Sequence, residues 1–182
     1  IPLHSLTDDT NVFGRTTLAQ QMPAGSVVFF WNPTNQAWSG GTKSTKGWSP
    51  AQSNRVIVAG EGIFLKSPTA QTTAIPITFA GEVPSEATLS RAVAGGNALT
   101  TVGNPYPADF LFGTSTLASN APAGSVVFFW NPTNQAWSGG TKSTKGWSPA
   151  QSNRVVAATE AFFLREAGSG LVWSPEKPYT WP

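Results

Sequence analysis

Along residues 26–31, SVVFFW, apolar side chains occupy both parities of an alternating pattern: Val27, Phe29 and Trp31 share one face, Val28 and Phe30 the other. Gly25 precedes the run and Asn32-Pro33 follows it, so the pattern predicts a strand that must be covered twice. In a sandwich the partner sheet covers one face, and the other calls for a loop, a helix or another subunit. Asn32 to Asn35 predict a turn and residues 36–38 a short returning strand. Residues 39–47, SGGTKSTKG, predict a polar loop with Lys43 and Lys46 in solvent, and residues 49–54 irregular chain. Further strands are expected at 55–58, 63–66 and 77–80, and a short helix over 16–21.

The pattern then repeats. Residues 23–56 return without one change as residues 122–155, a period of 99. That period is too long for a solenoid repeat and suits two copies of a small domain. The fold class expected is all-β: two tandem β-sandwich-like modules, residues 1–88 and 89–182, the second ending in a Pro-rich tail. Strands are expected at 98–102, 162–165 and 171–173, and the junction at 85–96 has Gly95-Gly96 as its flexible point. Identity that extends to surface-type residues such as Thr42 and Lys43 goes beyond what core packing demands. Recent duplication explains it, and so does selection for two equivalent surfaces.

The repeat also exposes a gap. A shift of 99 residues sets Thr100 on Ile1, so the first module lacks most of the strand that residues 98–102 give the second. An unpaired edge is a template for strand addition, and nothing charged in residues 1–6 protects it. Ile1 and Leu3 are therefore assigned to an assembly surface. Leu171, Val172 and Trp173 of a neighbouring copy are the candidate donor, with Tyr179 and Trp181 as anchors. In the intramolecular alternative, residues 171–173 close their own module.

Composition narrows the classes. Only 11% of residues are charged, against roughly 25% in an average soluble domain, and the chain carries 18 Gly, 15 Pro and 8 Trp. The net charge of +2 comes from scattered basic residues, so no nucleic-acid footprint is expected. Cysteine is absent, which excludes disulfides and thiolate metal sites. No apolar run reaches the roughly 18 residues of a membrane span. A chain starting at Ile1 with few Lys and Glu is read as exported, extracellular or on the cell surface after removal of an N-terminal export signal.

Candidate chemistry is thin. His4 is the only histidine, and a nucleophilic triad would have to be built from it with Ser5 and Asp8 or Asp9. Glu61 and Glu160 are the only carboxylates that recur between copies, whereas a glycosidase needs two facing one bond. Phosphate-loop, zinc-protease and EF-hand patterns are missing, so neither cofactor nor enzymatic activity is expected. Trp31, Trp38 and Trp48 recur as Trp130, Trp137 and Trp147. Such rings fill a core short of Leu and Ile, join subunits, or stack on sugars, the last assigned to Trp38, Trp48, Trp137 and Trp147. Lys43, Lys46 and their copies Lys142 and Lys145 belong to the polar loops, and no motif specifies an isopeptide crosslink from them.

The blocks VGNPYPADF (102–110), GSVVFFW (twice), GEGIFL (60–65) and ITFAGEVP (77–84) resemble modules of exported β-rich repeat proteins of environmental bacteria. That resemblance implies a secreted β-rich module and supplies no catalytic residue. The expected function is a non-enzymatic extracellular structural protein, a self-assembling subunit of a filament, sheath or surface layer whose partners are copies of itself. The alternative is a carbohydrate-binding or adhesive module.

Overall fold

The computed structural model describes residues 12–77 and 87–180. The chain is mostly β, in several antiparallel sheets joined by short helices. The repeated sequence forms the same elements twice. In the first copy, helix α1 (Thr17–Gln21) leads to strand β1 (Val27–Asn32), which turns back as β2 (Ala37–Thr42); helix α2 (Pro50–Ser53) and strand β3 (Ile63–Lys66) follow. Strands β4 (Arg91–Ala94), β5 (Leu99–Gly103) and β6 (Phe110–Leu111) lead into the second copy. There α3 (Thr116–Asn120), β7 (Val126–Asn131), β8 (Ala136–Thr141), α4 (Pro149–Ser152), β9 (Val155–Val156) and β10 (Ala161–Arg165) repeat the order, and β11 (Gly170–Trp173) closes it.

Local chemistry fixes these elements. Thr16 caps α1 by accepting from Ala19 N–H at 3.1 Å, and Ser115 caps α3 in the same way from Ala118 N–H. Asn32 Oδ1 accepts from Thr34 N–H, shaping the turn that Gln36 leaves with φ of +53°. The returning strand is longer than residues 36–38. Ser39, Gly40 and Gly41 continue the ladder because a side chain at Gly40 would stand 2.2 Å from Val28 O. Pro50 opens α2 where irregular chain was expected, since its missing N–H costs nothing in the first helical turn.

Each large sheet uses its two faces differently. Val28, Phe30, Ile63 and Leu65 face a core of Phe13, Leu18, Ala19, Met22 and Ile57. Val127, Phe129, Phe162, Leu164 and Val102 face the equivalent core of Phe112, Leu117, Val156 and Trp173. The opposite faces meet each other. The second cover demanded by SVVFFW is thus the sheet of the other copy, in the same chain.

Three further expectations change. Residues 55–58 form no strand, only the single bridge of Val56 to Val12. Residues 85–96 contain strand β4, paired with β11 in the register Gly170↔Ala94 to Trp173↔Arg91. Gly95 is no loose joint there, because a Cβ on it would lie 2.1 Å from Gly170 N. Ile77 lies outside any strand, and the rest of the strand expected at 77–80 falls outside the described residues.

Candidate functional site: an aromatic seam and an open sheet edge

The seam between the sheets is built from parity. Phe29 and Trp31 lie two apart on β1, Trp38 sits opposite Trp31, and Phe64 sits opposite Phe29, so all four project from one face. Phe128, Trp130, Trp137 and Phe163 hold the same places on the other sheet. The contacts across the seam come in matched pairs. Trp31 meets Phe163 edge-on with ring centroids 5.4 Å apart, and Trp130 meets Phe64 at 5.1 Å. Trp38 lies 5.6 Å from Phe163, and Trp137 lies 6.4 Å from Phe64. The two copies therefore face each other as the protomers of an isologous dimer would, through one surface used twice. Trp31 and Phe163 are buried, while Trp38 and Trp137 remain 43% and 42% exposed. With Phe29, Phe64 and Trp130 these two indoles wall a cleft of 290 Å³.

Polar contacts break the symmetry. Trp31 Nε1 donates to Leu99 O at 2.8 Å, and the Gln36 amide takes both backbone groups of Leu99. Gly103 N–H donates to Gly60 O at 2.7 Å, and Arg91 donates from Nε and Nη2 to Thr101 O. Burial lowers the pKa of Arg91, and the charge of Glu61 opposes that shift. The bonds from Trp31, Gln36 and Gly60 attach β5 to the first copy, and those from Arg91 tie it to β4. Among the described residues nothing attaches in the same way to the second copy. Gln135, the copy of Gln36, bonds only Pro132 O, and Trp130 is only half-buried.

The sheet edges show the same asymmetry. β10 lies between β5 and β7, whereas β3, its copy, pairs only with β1 among the described residues. Leu164 and Phe162 are 0% and 1% exposed, while Leu65 and Ile63, in the same places, are only half-buried. A groove of 610 Å³ runs along β3, with Leu18, Ile57, Ile63, Leu65 and Trp130 among its walls.

The sequence-assigned residues fall in several places. Leu171, Val172 and Trp173 form β11 and pair with β4 of their own chain, Trp173 in the core and Val172 63% exposed. Tyr179 packs edge-on against Tyr106, also within the chain. Ile1, Leu3 and Trp181 lie outside the described residues, as do His4, Ser5, Asp8 and Asp9. Trp48 and Trp147 stand apart from Trp38 and Trp137: each packs on its core, and their indole N–H groups donate to Ala19 O and Ala118 O. Lys43 is held rather than solvated, its Nζ donating to Ala19, Gln20 and Met22 O, and Lys142 repeats the arrangement on α3. Glu61 and Glu160 are each ion-paired to their own arginine, Arg55 and Arg154. No group of three metal-ligating side chains occurs among the described residues, and no helix among them is long and apolar enough to cross a membrane.

Sequence reasoning missed the roles of Phe64, Phe163, Gln36 and Arg91. For the phenylalanines a signal existed, since FL recurs at offset 99 as the third strand beside SVVFFW. Gln36 and Arg91 act on a strand distant in sequence and carry no local pattern. Comparison of the chain with known protein families, with curated proteins and with solved structures finds no match.

Proposed function

We propose that this chain is a non-enzymatic extracellular structural protein, built from two copies of one β module, whose molecules assemble edge to edge into a filament, sheath or surface layer. The observation that carries this reading is the pair of outer strands β2 and β8. Each ends its sheet, each is exposed along most of its length, and their sequences are identical, AWSGGT. Neither strand holds a charged residue or a proline, the usual devices that blunt an edge. Lys43 and Lys142, next along the chain, turn inward onto helix-end carbonyls, so their charge does not guard the edges. The Gln52 amide donates to Gly40 O on the first edge, and Gln151 lies against Gly140 on the second.

Two equal edges on one molecule allow association to propagate, where a single edge would stop at a dimer. The low charge density opposes it little. The test is negative-stain imaging and sedimentation of the chain beside a Thr42→Lys, Thr141→Lys double variant. Both threonines are exposed, and their backbone groups point away from the inner strand, so lysine there blocks edge pairing without touching the hairpin. Concentration-dependent polymers from the parent and monomers from the variant, with unchanged circular dichroism, are expected. A parent that stays monomeric at high concentration overturns the reading.

A second reading rests on Trp38 and Trp137. Both indoles are partly exposed over one aromatic cleft, the arrangement by which ring faces stack on sugars. Quenching or a shift of tryptophan fluorescence on a glycan panel, lost in Trp38→Ala, tests it.

A further inference from the structure

We propose that the groove along β3 accepts an extended segment of a different protein, which adds to β3 as a fourth, antiparallel strand. The template is β5, which fills the same place on β10. Leu99, Thr101 and Gly103 have backbone groups bonded to Gln36, Arg91 and Gly60, away from β10, which leaves Thr100 and Val102 to form the ladder with Leu164 and Phe162. Leu65 and Ile63 hold those two places on β3, so their backbone N–H and C=O groups point into the groove. Among the described residues no strand meets them there. Such an edge over an apolar floor is the setting for strand addition, in which main-chain bonds supply affinity and alternate side chains supply specificity.

A copy of the clamp that grips β5 stands beside this edge. Gln36 Nε2 donates to Pro33 O, and from that pose the amide holds both backbone groups of Leu99 while Trp31 Nε1 donates to Leu99 O. Gln135 takes the same pose on Pro132 O, and Trp130 meets Phe64 of β3 as Trp31 meets Phe163 of β10. Gln135 Oε1 and Trp130 Nε1 have no partner among the described residues, and Trp130 and Pro132 wall the groove. The clamp binds backbone, so it selects an extended chain and not a sequence. Selection among sequences comes from the floor. Thr100 and Val102 are fully buried on β10, so the occupant needs small uncharged side chains two apart, over Leu18, Ile63 and Leu65. β5 of a second copy meets that need but is bonded along both edges in its own chain, which is why the occupant is a different protein.

The proposal is independent of assembly through β2 and β8, so it is tested on the Thr42→Lys, Thr141→Lys variant, whose outer edges are blocked. The probe is a fluorescein-labelled peptide with the sequence of residues 98–105, ALTTVGNP. A saturable rise in its anisotropy is expected. The Val102→Asp peptide, which would bury a charge, and the Thr100→Pro peptide, which cannot donate to the ladder, are expected not to bind. Adding Gln135→Ala to the protein is expected to weaken binding about tenfold by removing the clamp. Adding Gln36→Ala instead is expected to leave binding unchanged, because that amide already serves Leu99. Amide exchange at Leu65 is expected to slow about a hundredfold when the peptide is bound. No binding of the parent peptide overturns the proposal. So does binding that the Val102→Asp peptide retains, that Gln135→Ala leaves intact, or that does not slow exchange at Leu65.

Discussion

Gln36 holds Leu99 by both backbone groups: Leu99 N–H donates to Gln36 Oε1 at 2.8 Å, and Gln36 Nε2 donates to Leu99 O at 3.1 Å. One side chain thereby completes a peptide's hydrogen bonding across 63 residues of sequence. Gln36→Ala is expected to lower the unfolding free energy by about 1–2 kcal/mol, two bonds near 1 kcal/mol each, discounted for their exposure. Gln135→Ala, the same change in the copy, is expected to cost less than half as much. Denaturant titration of both variants measures the difference, and equal costs would deny the clamp any role.

Ser26 and Ser125 occupy identical positions, and both are fully buried. Ser125 Oγ accepts from Ala167 N–H at 3.1 Å. Pro68 stands where Ala167 would repeat, has no N–H to give, and leaves Ser26 Oγ without a partner among the described residues. Ser26→Ala is therefore expected to be neutral or stabilising, whereas Ser125→Ala is expected to cost about 1 kcal/mol. Thermal unfolding of the two variants reads this directly.

Phe163 touches Trp31, Trp38 and Trp137, and is 7% exposed. Phe163→Ala is expected to destabilise by about 3 kcal/mol, by removing a ring at the centre of the seam. Phe64→Ala is expected to cost less, since its site is half-buried and has room to relax. Their double variant should fall short of the sum, because both rings contact Trp38 and Trp137.

Glu61 accepts from Arg55 Nη2 at 2.7 Å and from Val58 N–H at 3.2 Å, with its side chain 3% exposed. Its copy Glu160 makes the same pair of contacts at 19% exposure. Glu61→Ala is expected to cost about 1–2 kcal/mol more than Glu160→Ala. It leaves Arg55, and the neighbouring Arg91, with less compensating charge in a drier site.

The sequence disclosed what short-range chemistry decides. The strands in SVVFFW, the Asn-Pro turn, the short helix over 16–21 and the duplicated order of elements all follow from neighbouring residues. The need for two covers was equally plain from alternating apolar positions. The identity of the second cover was not, because a face made of Phe29, Trp31 and Trp38 fits a sugar, another subunit or its own copy equally well by composition. Trp48 and Trp147 looked like Trp38 and Trp137 for the same reason, and only the position of Ala19 O and Ala118 O separates them. β4 was hidden in RAVAGG, a run too short and too small to announce a strand, and its partner lies almost eighty residues away.

The pairing of β4 with β11 has a mechanical consequence. The chain enters β4 at Arg91 and leaves β11 at Trp173, and these two residues stand opposite each other at one end of the ladder. Tension along the chain thus pulls the two strands apart from that end, opening one hydrogen bond at a time instead of loading the ladder in shear. Load applied across Arg91 and Trp173 is expected to open this ribbon in sequence, drawing Trp173 and then Val93 out of the core.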